Sequence, residues 1–278
     1  MGQPGKRRRR VYWGPAGLGA LGFLVLMAVV AILAPIVSLQ DPFRTSAMVL
    51  RGPSSHHVLG TDYLGRDIFS RIVWSMRLSL LVAIVSAAIG ALLGLGIGTL
   101  SGYLRGGTDA VLMRITDGCM VLPTFFVVVI VVALFGSSVW VLSVVIGLTN
   151  WPTVARLVRS EVLALRTLDF VSAAEALGAS TMAIMVRHII PGTLALLLVH
   201  TSLRAGYAVV TEASLGFLGL GDSSGLSLGG MLTNTVQFAR LAWWVAVFPG
   251  MAITALVVAF SSLGDALASA FAVGRATS

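Results

Sequence analysis

The sequence contains 278 residues, of which 57% are hydrophobic and only 11% are charged, and its net charge is +8. A typical soluble domain has about 25% charged residues, so this chain has too few charges to cover a surface that faces water. The composition excludes an ordinary soluble protein and predicts a membrane domain, in which each helical span needs about 20 consecutive apolar residues.

The N-terminal part of the chain is basic and then apolar. Residues 6–10 are one lysine and four arginines, and a basic cluster before an apolar run marks the cytoplasmic flank of a span. We predict a cytoplasmic tail over residues 1–15 and a first transmembrane helix over residues 16–36. A cleaved signal peptide is the alternative, but the apolar run is longer than a typical signal core, and no small-x-small site follows it. No soluble domain follows the basic run, so we do not expect nucleic acid as a partner.

A polar segment separates the first two predicted spans. Residues 37–77 contain aspartates and arginines, whereas the apolar stretches on either side carry no charge. We predict that residues 37–77 form an extracytoplasmic loop with a helix that lies on the membrane surface. The arginines in this loop oppose the positive-inside bias, which an N-terminal cluster usually dominates. The charge-free residues 78–104 predict the second span.

Four glycines recur at every fourth position of the second predicted span: Gly90, Gly94, Gly98 and Gly102. Residues at this spacing share one face of a helix, and small residues on such a face let two helix backbones approach closely. The pattern predicts a helix-packing ridge. The alternative is that glycine is simply common in membrane helices.

The second half of the chain predicts four further spans. Residues 118–155 carry no charge and are too long for one span, so a turn at residues 136–138 is predicted to divide them into the third and fourth. Arginines 156, 159 and 166 mark a return to the cytoplasm, and residues 189–211 and 241–264 predict the fifth and sixth spans. The sequence lacks the period-two segments of a β-barrel. We therefore predict an all-α protein with six transmembrane helices, a five-helix core over residues 78–267, a cytoplasmic tail over residues 268–278, and both termini in the cytoplasm.

Catalytic and metal sites are not expected. The four histidines show no HExxH or other ligand spacing, and the lone Cys119 excludes an internal disulfide and a thiolate cluster. A serine hydrolase is disfavoured, because Ser202 and His200 are two residues apart and face different sides of a helix. The single lysine, Lys6, is not part of a Walker A loop. We expect no catalytic residue, no metal and no cofactor.

The predicted cytoplasmic loop at residues 156–191 is the most informative segment. It contains a short alanine-rich helix that should end at Gly178, and then a second short helix that should end at Pro191. A small-residue helix held off the membrane has a good shape for docking into a groove of another protein. The alternative is an ordinary connection between two spans.

This segment resembles the EAA loop of the permease subunits of ATP-binding-cassette importers. In that loop Glu-Ala-Ala is followed by a glycine and ends in a Leu-Pro-like pair. Ser172-Ala173-Ala174, Gly178 and Pro191 occupy the matching positions. Ser172 stands where the family has glutamate, and Glu175 lies one turn further along.

The resemblance extends over residues 16–267 and is most specific for the second, C-type subunit of the dipeptide, oligopeptide and nickel permease family. Two stretches depart from the family pattern, namely residues 222–230, which are rich in glycine and serine, and Ala268-Ser269, where Arg-Asp is usual. The motifs that carry the resemblance are Leu59-Gly60-Thr61-Asp62-Tyr63-Leu64-Gly65-Arg66-Asp67, Trp151-Pro152, Glu212-Ala213-Ser214-Leu215-Gly216-Phe217-Leu218-Gly219-Leu220-Gly221, and Trp243-Trp244 with Pro249-Gly250.

The resemblance implies a type I importer permease fold in a bacterial inner membrane. It implies three kinds of partner: a homologous B-type permease that completes the pore, two cytoplasmic ATPases that bind ATP and magnesium, and an extracytoplasmic solute-binding protein. The family carries peptides, nickel chelates and glutathione-like solutes. The residues implied in coupling to the ATPases are Ser172, Ala173, Ala174, Glu175 and Gly178, with Arg187 and Pro191 at the exit of the loop.

An ion-coupled secondary transporter is the alternative function. Such a transporter binds its coupling ion through ionisable groups inside the membrane. Here only Arg204 lies well inside a predicted span, whereas Arg114, Asp117 and Glu212 are expected near span ends, where long side chains reach water. This sparse set argues against ion coupling.

Overall fold

A computed structural model describes residues 15–222, 225–233, 235–238 and 240–276. These residues form helices and loops without a named strand; Thr61 and Asp67 make one isolated β-bridge. The predicted tail at residues 1–15 lies outside the described residues except for its last position. The helices are α1 (Pro15–Ile32), α2 (Ala34–Val37), α3 (Ile68–Leu104), α4 (Gly106–Val121), α5 (Thr124–Phe135), α6 (Val139–Leu165), α7 (Asp169–Ala176), α8 (Thr181–Ile184), α9 (Ile190–Phe217), α10 (Leu228–Leu232), α11 (Thr235–Phe238) and α12 (Trp244–Ala276), with a π-helical turn, Met185–Ile189, between α8 and α9.

The all-helical, multi-pass architecture is confirmed, and the described helices provide four or five candidate spans. Four described helices are long and apolar enough to cross a membrane: α3, α6, the continuous helix Thr181–Phe217 and the Trp244–Phe271 part of α12. Helices α4 and α5 pass the same test only as a bent pair, and the described residues contain five candidate spans if this pair is one span. The apolar part of α1, Leu18–Ile32, is shorter than a full span. Six spans are not confirmed.

The second span begins earlier than its charge-free run suggested. Helix α3 starts at Ile68, because the Asp67 carboxylate accepts a hydrogen bond from the Ser70 N–H and caps the helix. Residues 68–77, at the end of the predicted extracytoplasmic loop, are therefore the first turns of α3. A criterion based on absence of charge placed the start too late, because Arg71 is inside the helix and is buried.

The predicted third span lies in a bent pair of helices. Helix α4 already begins at Gly106 and ends at Val121, and α5 begins at Thr124, after a 78° bend. Pro123 lies at the break; a proline lacks the N–H group that would continue the helix, and it holds the preceding residue in an extended conformation. The turn predicted at residues 136–138 is present, since Gly136 ends α5 and Ser138 caps α6.

The C-terminal boundaries also differ from those predicted. Helix α9 continues past residue 211 to Phe217, and α12 runs from Trp244 to Ala276 through the predicted start of the tail at residue 268.

Helix α3 is the centre of the bundle and packs against α6 and α9. The end of the bundle that carries α7 is called the loop end below, and the opposite end, with residues 38–67 and α10, the distal end. Three clusters of buried apolar side chains hold the helices together. They are represented by Leu24, Ile72, Val209 and Phe260 between α1, α3, α9 and α12; by Val158, Val171, Ile184 and Ile189 at the loop end; and by Val82, Val128, Ile146 and Ala208 between α3, α5, α6 and α9.

Candidate functional site

At the loop end, α7 is a short helix closed by a glycine. Gly178 has a φ of +76°, and its N–H donates to the Glu175 carbonyl, while the Ala179 N–H donates to the Ala174 carbonyl. This left-handed closure suits glycine. No atom lies within 4 Å of the position that a Cβ on Gly178 would occupy, so the backbone conformation is the constraint there, not space.

Helix α7 is attached to the bundle on one face and open on the other. Val171 is buried among Ile184 and Ile189, and the Phe170 ring lies 5.9 Å from the His188 ring. The predicted docking residues Ser172, Ala173, Glu175 and Gly178 are exposed, Ala174 is half-buried, and Leu177 beside them is 88% exposed. The exposed side of this segment thus includes small residues and two large apolar side chains, Phe170 and Leu177.

Glu175 links this exposed helix to the end of α3. The Tyr103 hydroxyl donates a hydrogen bond to Glu175 Oε1 over 3.1 Å, and Tyr103 itself is buried. Arg166 contacts the same tyrosine: its Nη1 donates to the Tyr103 carbonyl over 2.8 Å, and its guanidinium lies 5.1 Å from the ring centre. Displacement of α7 would therefore act directly on the last turn of α3.

The predicted end of the second short helix at Pro191 is wrong. Pro191 lies in the first turn of α9, within the continuous helix Thr181–Phe217, and the π turn Met185–Ile189 comes immediately before it. Pro191 has no N–H to donate to the Arg187 carbonyl, and an irregular turn at that point lets the helix continue. Arg187 is exposed on this turn.

Two ion pairs fix α4 to α6 near the loop end. Arg159 makes a bidentate pair with Asp109, with both N–O distances at 2.6 Å, and the Ser101 hydroxyl also donates to this carboxylate. Arg156 pairs with Asp117 at 2.6 Å on the exposed surface. The arginines that the sequence marked as a cytoplasmic flank therefore also hold the broken span in place.

The glycine ridge lies along the contact between α3 and α6, two parallel helices of the same chain. A Cβ on Gly94 would be 2.5 Å from Val154 Cβ, and one on Gly98 would be 2.5 Å from the Ala155 carbonyl oxygen. Gly90 and Gly102 lie on the same line and would meet Asn150 and Val162 at 3.3 and 2.9 Å. In return, α6 presents Gly147 to Ile89 of α3. The neighbour of the ridge is thus α6.

At the distal end, the motif at residues 59–67 forms a closed network of hydrogen bonds. Asp62 accepts from the backbone N–H groups of Leu64 and Arg66 and from Arg66 Nε, at 2.7–2.9 Å. Arg71, buried in the first turn of α3, lies 3.8 Å from the same carboxylate and donates to the carbonyls of Pro42 and Gly225. The motif therefore fastens the loop to α3.

A buried carboxylate, Glu212, connects three elements of the distal end. It is 0% exposed, and its two carboxylate oxygens accept from the hydroxyls of Ser79 on α3, over 2.8 Å, and Ser227 before α10, over 2.7 Å. The expectation that Glu212 reaches water from near a span end is wrong, because its side chain is buried and both carboxylate oxygens accept from serine hydroxyls. Sequence reasoning missed this contact. The signal in the sequence that could have indicated it is Ser79, a polar residue in the mostly apolar residues 78–104.

Comparison with known proteins identifies the family. Residues 94–273 match the family described as binding-protein-dependent transport system inner membrane component. The chain belongs to this family. It is 41% identical over 220 residues to the glutathione transport system permease protein GsiD of Pectobacterium atrosepticum, covering 79% of this chain and 73% of that protein. It is 36% identical over 257 residues to the dipeptide transport system permease protein DppC of Alkalihalophilus pseudofirmus, covering 91% and 84%, and 38% identical over 251 residues to GsiD of an Escherichia coli strain, covering 89% and 83%.

The chain is therefore a multi-pass permease component of an inner-membrane transport system and is not itself catalytic. A binding-protein-dependent system implies an ATPase and a solute-binding protein as partners. The resemblance inferred from the loop and from the motifs at residues 59–67 and 212–221 is confirmed at the level of the family.

In this permease, residues 227–230 pack closely against the end of α9. A Cβ on Gly229 would collide with the Ala213 carbonyl, and one on Gly216 would collide with the Ser227 hydroxyl and the Gly230 N–H. The absence of a side chain at Gly216 and Gly229 thus lets α10 lie directly on the end of α9.

Proposed function

We propose that this permease forms one half of the translocation pore of an importer for peptides or related small solutes such as glutathione. Relatives named for dipeptide and glutathione transport support this substrate class. The observation that carries the coupling role is the hydrogen bond between Glu175 and Tyr103, because it joins the exposed helix α7 to the helix at the centre of the bundle. A B-type permease would complete the pore, and two ATPases would dock at α7.

The proposal includes six spans, with both termini in the cytoplasm. Helix α1 would be the first span, since Leu24 and Ala31 pack into the same apolar cluster as α3 and α12. The bent pair α4–α5 would be the third. Cysteine labelling from either side of the membrane, at residues 8 and 274 in a Cys119→Ser background, tests this topology. Labelling of either position from the extracytoplasmic side would contradict it.

Transport assays separate this function from ion coupling. Uptake into vesicles that contain the complete transporter should require ATP on the side of the membrane where the ATPases lie. It should persist when ion gradients are abolished. Uptake that follows an ion gradient without ATP would show a secondary transporter instead.

Changing the glycine that closes α7 should uncouple transport. Gly178→Val is expected to leave the permease in the membrane, but to reduce ATP-dependent uptake several-fold and weaken retention of the ATPases, because a β-branched residue at φ +76° costs about 1 kcal/mol or more. Gly178→Asn is the matched control, since asparagine tolerates this conformation. Normal uptake and normal co-purification of the ATPases with Gly178→Val would contradict the role of this loop.

Glu175 and Ser172 should differ in their effect. We expect Glu175→Ala to lower uptake clearly and Ser172→Ala to change it little, with both rates scaled to assembled complex. Tyr103→Phe removes the internal hydrogen bond but keeps the carboxylate. A loss in Tyr103→Phe equal to that in Glu175→Ala assigns the effect to the α7–α3 link, and a loss in Glu175→Ala alone assigns it to a charged contact with the ATPase. Wild-type uptake by Glu175→Ala would exclude both.

A further inference from the structure

Arg204 lies about halfway across the bundle. On one side of it along α9, Leu197 packs in the apolar cluster that includes Val158 of α6. On the other side, Ala208 packs in the cluster that includes Ile146 of α6. Arg204 is therefore level with the middle of α6, far from both ends of the bundle.

The charge of Arg204 is not neutralised within the described part of the chain. Arg71 and Arg159, the other arginines that are buried or half-buried inside candidate spans, lie against Asp62 and Asp109. No carboxylate of a described residue lies within ion-pair distance of Arg204, whose guanidinium lies 5.8 Å from the ring centre of Tyr207.

The nearest carboxylate along the same helix is already engaged. Glu212 follows Arg204 by about two helical turns, and both of its oxygens accept hydrogen bonds from serine hydroxyls. The positive charge of Arg204 is therefore available to a group from outside this chain.

An arginine at this depth needs water or an anion, because an unpaired charge in hydrocarbon is costly and intramembrane arginines face a cavity or another protein, not lipid tails. Arg204 lies at the edge of an open face of α9, on which Leu203 and Tyr207 are 39% and 42% exposed. His200 and Tyr207, one turn to either side, are polar. This combination forms a polar track along one side of α9.

We infer that Arg204, flanked by His200 and Tyr207, binds the carboxylate of the cargo as it crosses the pore. This inference rests on the proposed function, and it specifies the chemistry of the cargo as a solute with a free carboxylate, such as the C-terminus of a peptide. A guanidinium presents two parallel N–H groups that match the two oxygens of a carboxylate. The Tyr207 ring, which lies beside the guanidinium, supports its orientation.

A double comparison of residue and cargo tests the subsite. The complete transporter with its binding protein is reconstituted in liposomes, and ATP-dependent uptake of dialanine is compared with that of dialanine amide. Arg204→Gln should lower dialanine uptake about tenfold relative to wild type, equal to about 1.4 kcal/mol, and change uptake of the amide less than twofold. Arg204→Lys, which keeps the charge but loses the bidentate geometry, should give an intermediate loss. The variant-to-wild-type ratio of uptake for dialanine is divided by the same ratio for the amide, so any preference of the binding protein for one probe cancels.

Three results would overturn the inference. Equal loss of uptake for both probes, together with less assembled complex, would show that Arg204 pairs with a carboxylate of a partner subunit. Unchanged uptake of both probes by Arg204→Gln would show that it has no role on the path. If the wild-type transporter carries neither dialanine nor its amide, the proposed peptide class is excluded, and the subsite with it. Because this result needs no variant, it is distinguished from a failure of the subsite alone.

Discussion

Gly98→Leu should prevent the permease from accumulating as a folded protein. A Cβ at this position would be 2.5 Å from the Ala155 carbonyl oxygen and 2.8 Å from Val158 Cβ, and the backbone of α6 cannot move away without separating the two helices. Overpacking of this kind costs about 1–3 kcal/mol and sometimes more. We expect at least a fivefold fall in folded protein after detergent extraction, and a smaller fall for Gly98→Ala.

The same helix offers a matched control. Gly96 is exposed, and no atom lies within 4 Å of the position of its Cβ. Gly96→Leu should therefore give a wild-type yield, although it adds the same side chain two residues away. A similar yield for the two leucine variants would show that the approach of α3 to α6 does not depend on the glycines. Because the ridge faces α6, we expect the defect before assembly with a second permease and not only at that step.

Glu212→Leu should destabilise the distal end strongly. This substitution leaves the buried hydroxyls of Ser79 and Ser227 without their acceptor, and each unsatisfied buried polar group costs about 1–3 kcal/mol. We expect a clear fall in the thermal unfolding midpoint of the purified complex and loss of most uptake.

Glu212→Gln separates the hydrogen bonds from the charge. The amide has a carbonyl oxygen that can accept from one serine and an NH₂ group that can donate to the other, so near-normal stability is expected. A Glu212→Gln variant as unstable as Glu212→Leu would show that the carboxylate itself is needed. Ser79→Ala and Ser227→Ala, each removing one donor, should give smaller effects than Glu212→Leu.

Local patterns in the sequence predicted several features that the structure contains. The turn at Gly136, the end of α7 at Gly178 and the common face of the four glycines each depend on a few neighbouring residues, so spacing was sufficient to find them. The bounds of the spans were not predictable in the same way. The prediction treated every charge as the end of a span.

That rule failed where a distant residue satisfies the charge or polar group. Arg71 belongs to α3 because Asp62 and the Gly225 carbonyl are brought to it, and Glu212 belongs to α9 because Ser79 and Ser227 donate to it. Sequence separation hides these partners until the chain is folded. The break at Pro123 was overlooked for a different reason: hydropathy does not register the loss of one backbone N–H.

The close contact between α3 and α6 has a mechanical consequence. Helix α3 has 37 residues and is thus about 55 Å long. Its glycine face leaves few side-chain atoms between the two backbones, so little can be compressed when one helix pushes on the other. The pair should tilt as one stiff lever, with Tyr103 near one end and Asp67 at the other. A rotation of about 5° over a length of about 55 Å moves the far end by about 5 Å. A small push on α7 would then reach the loop around Asp62 as a displacement wider than a water molecule.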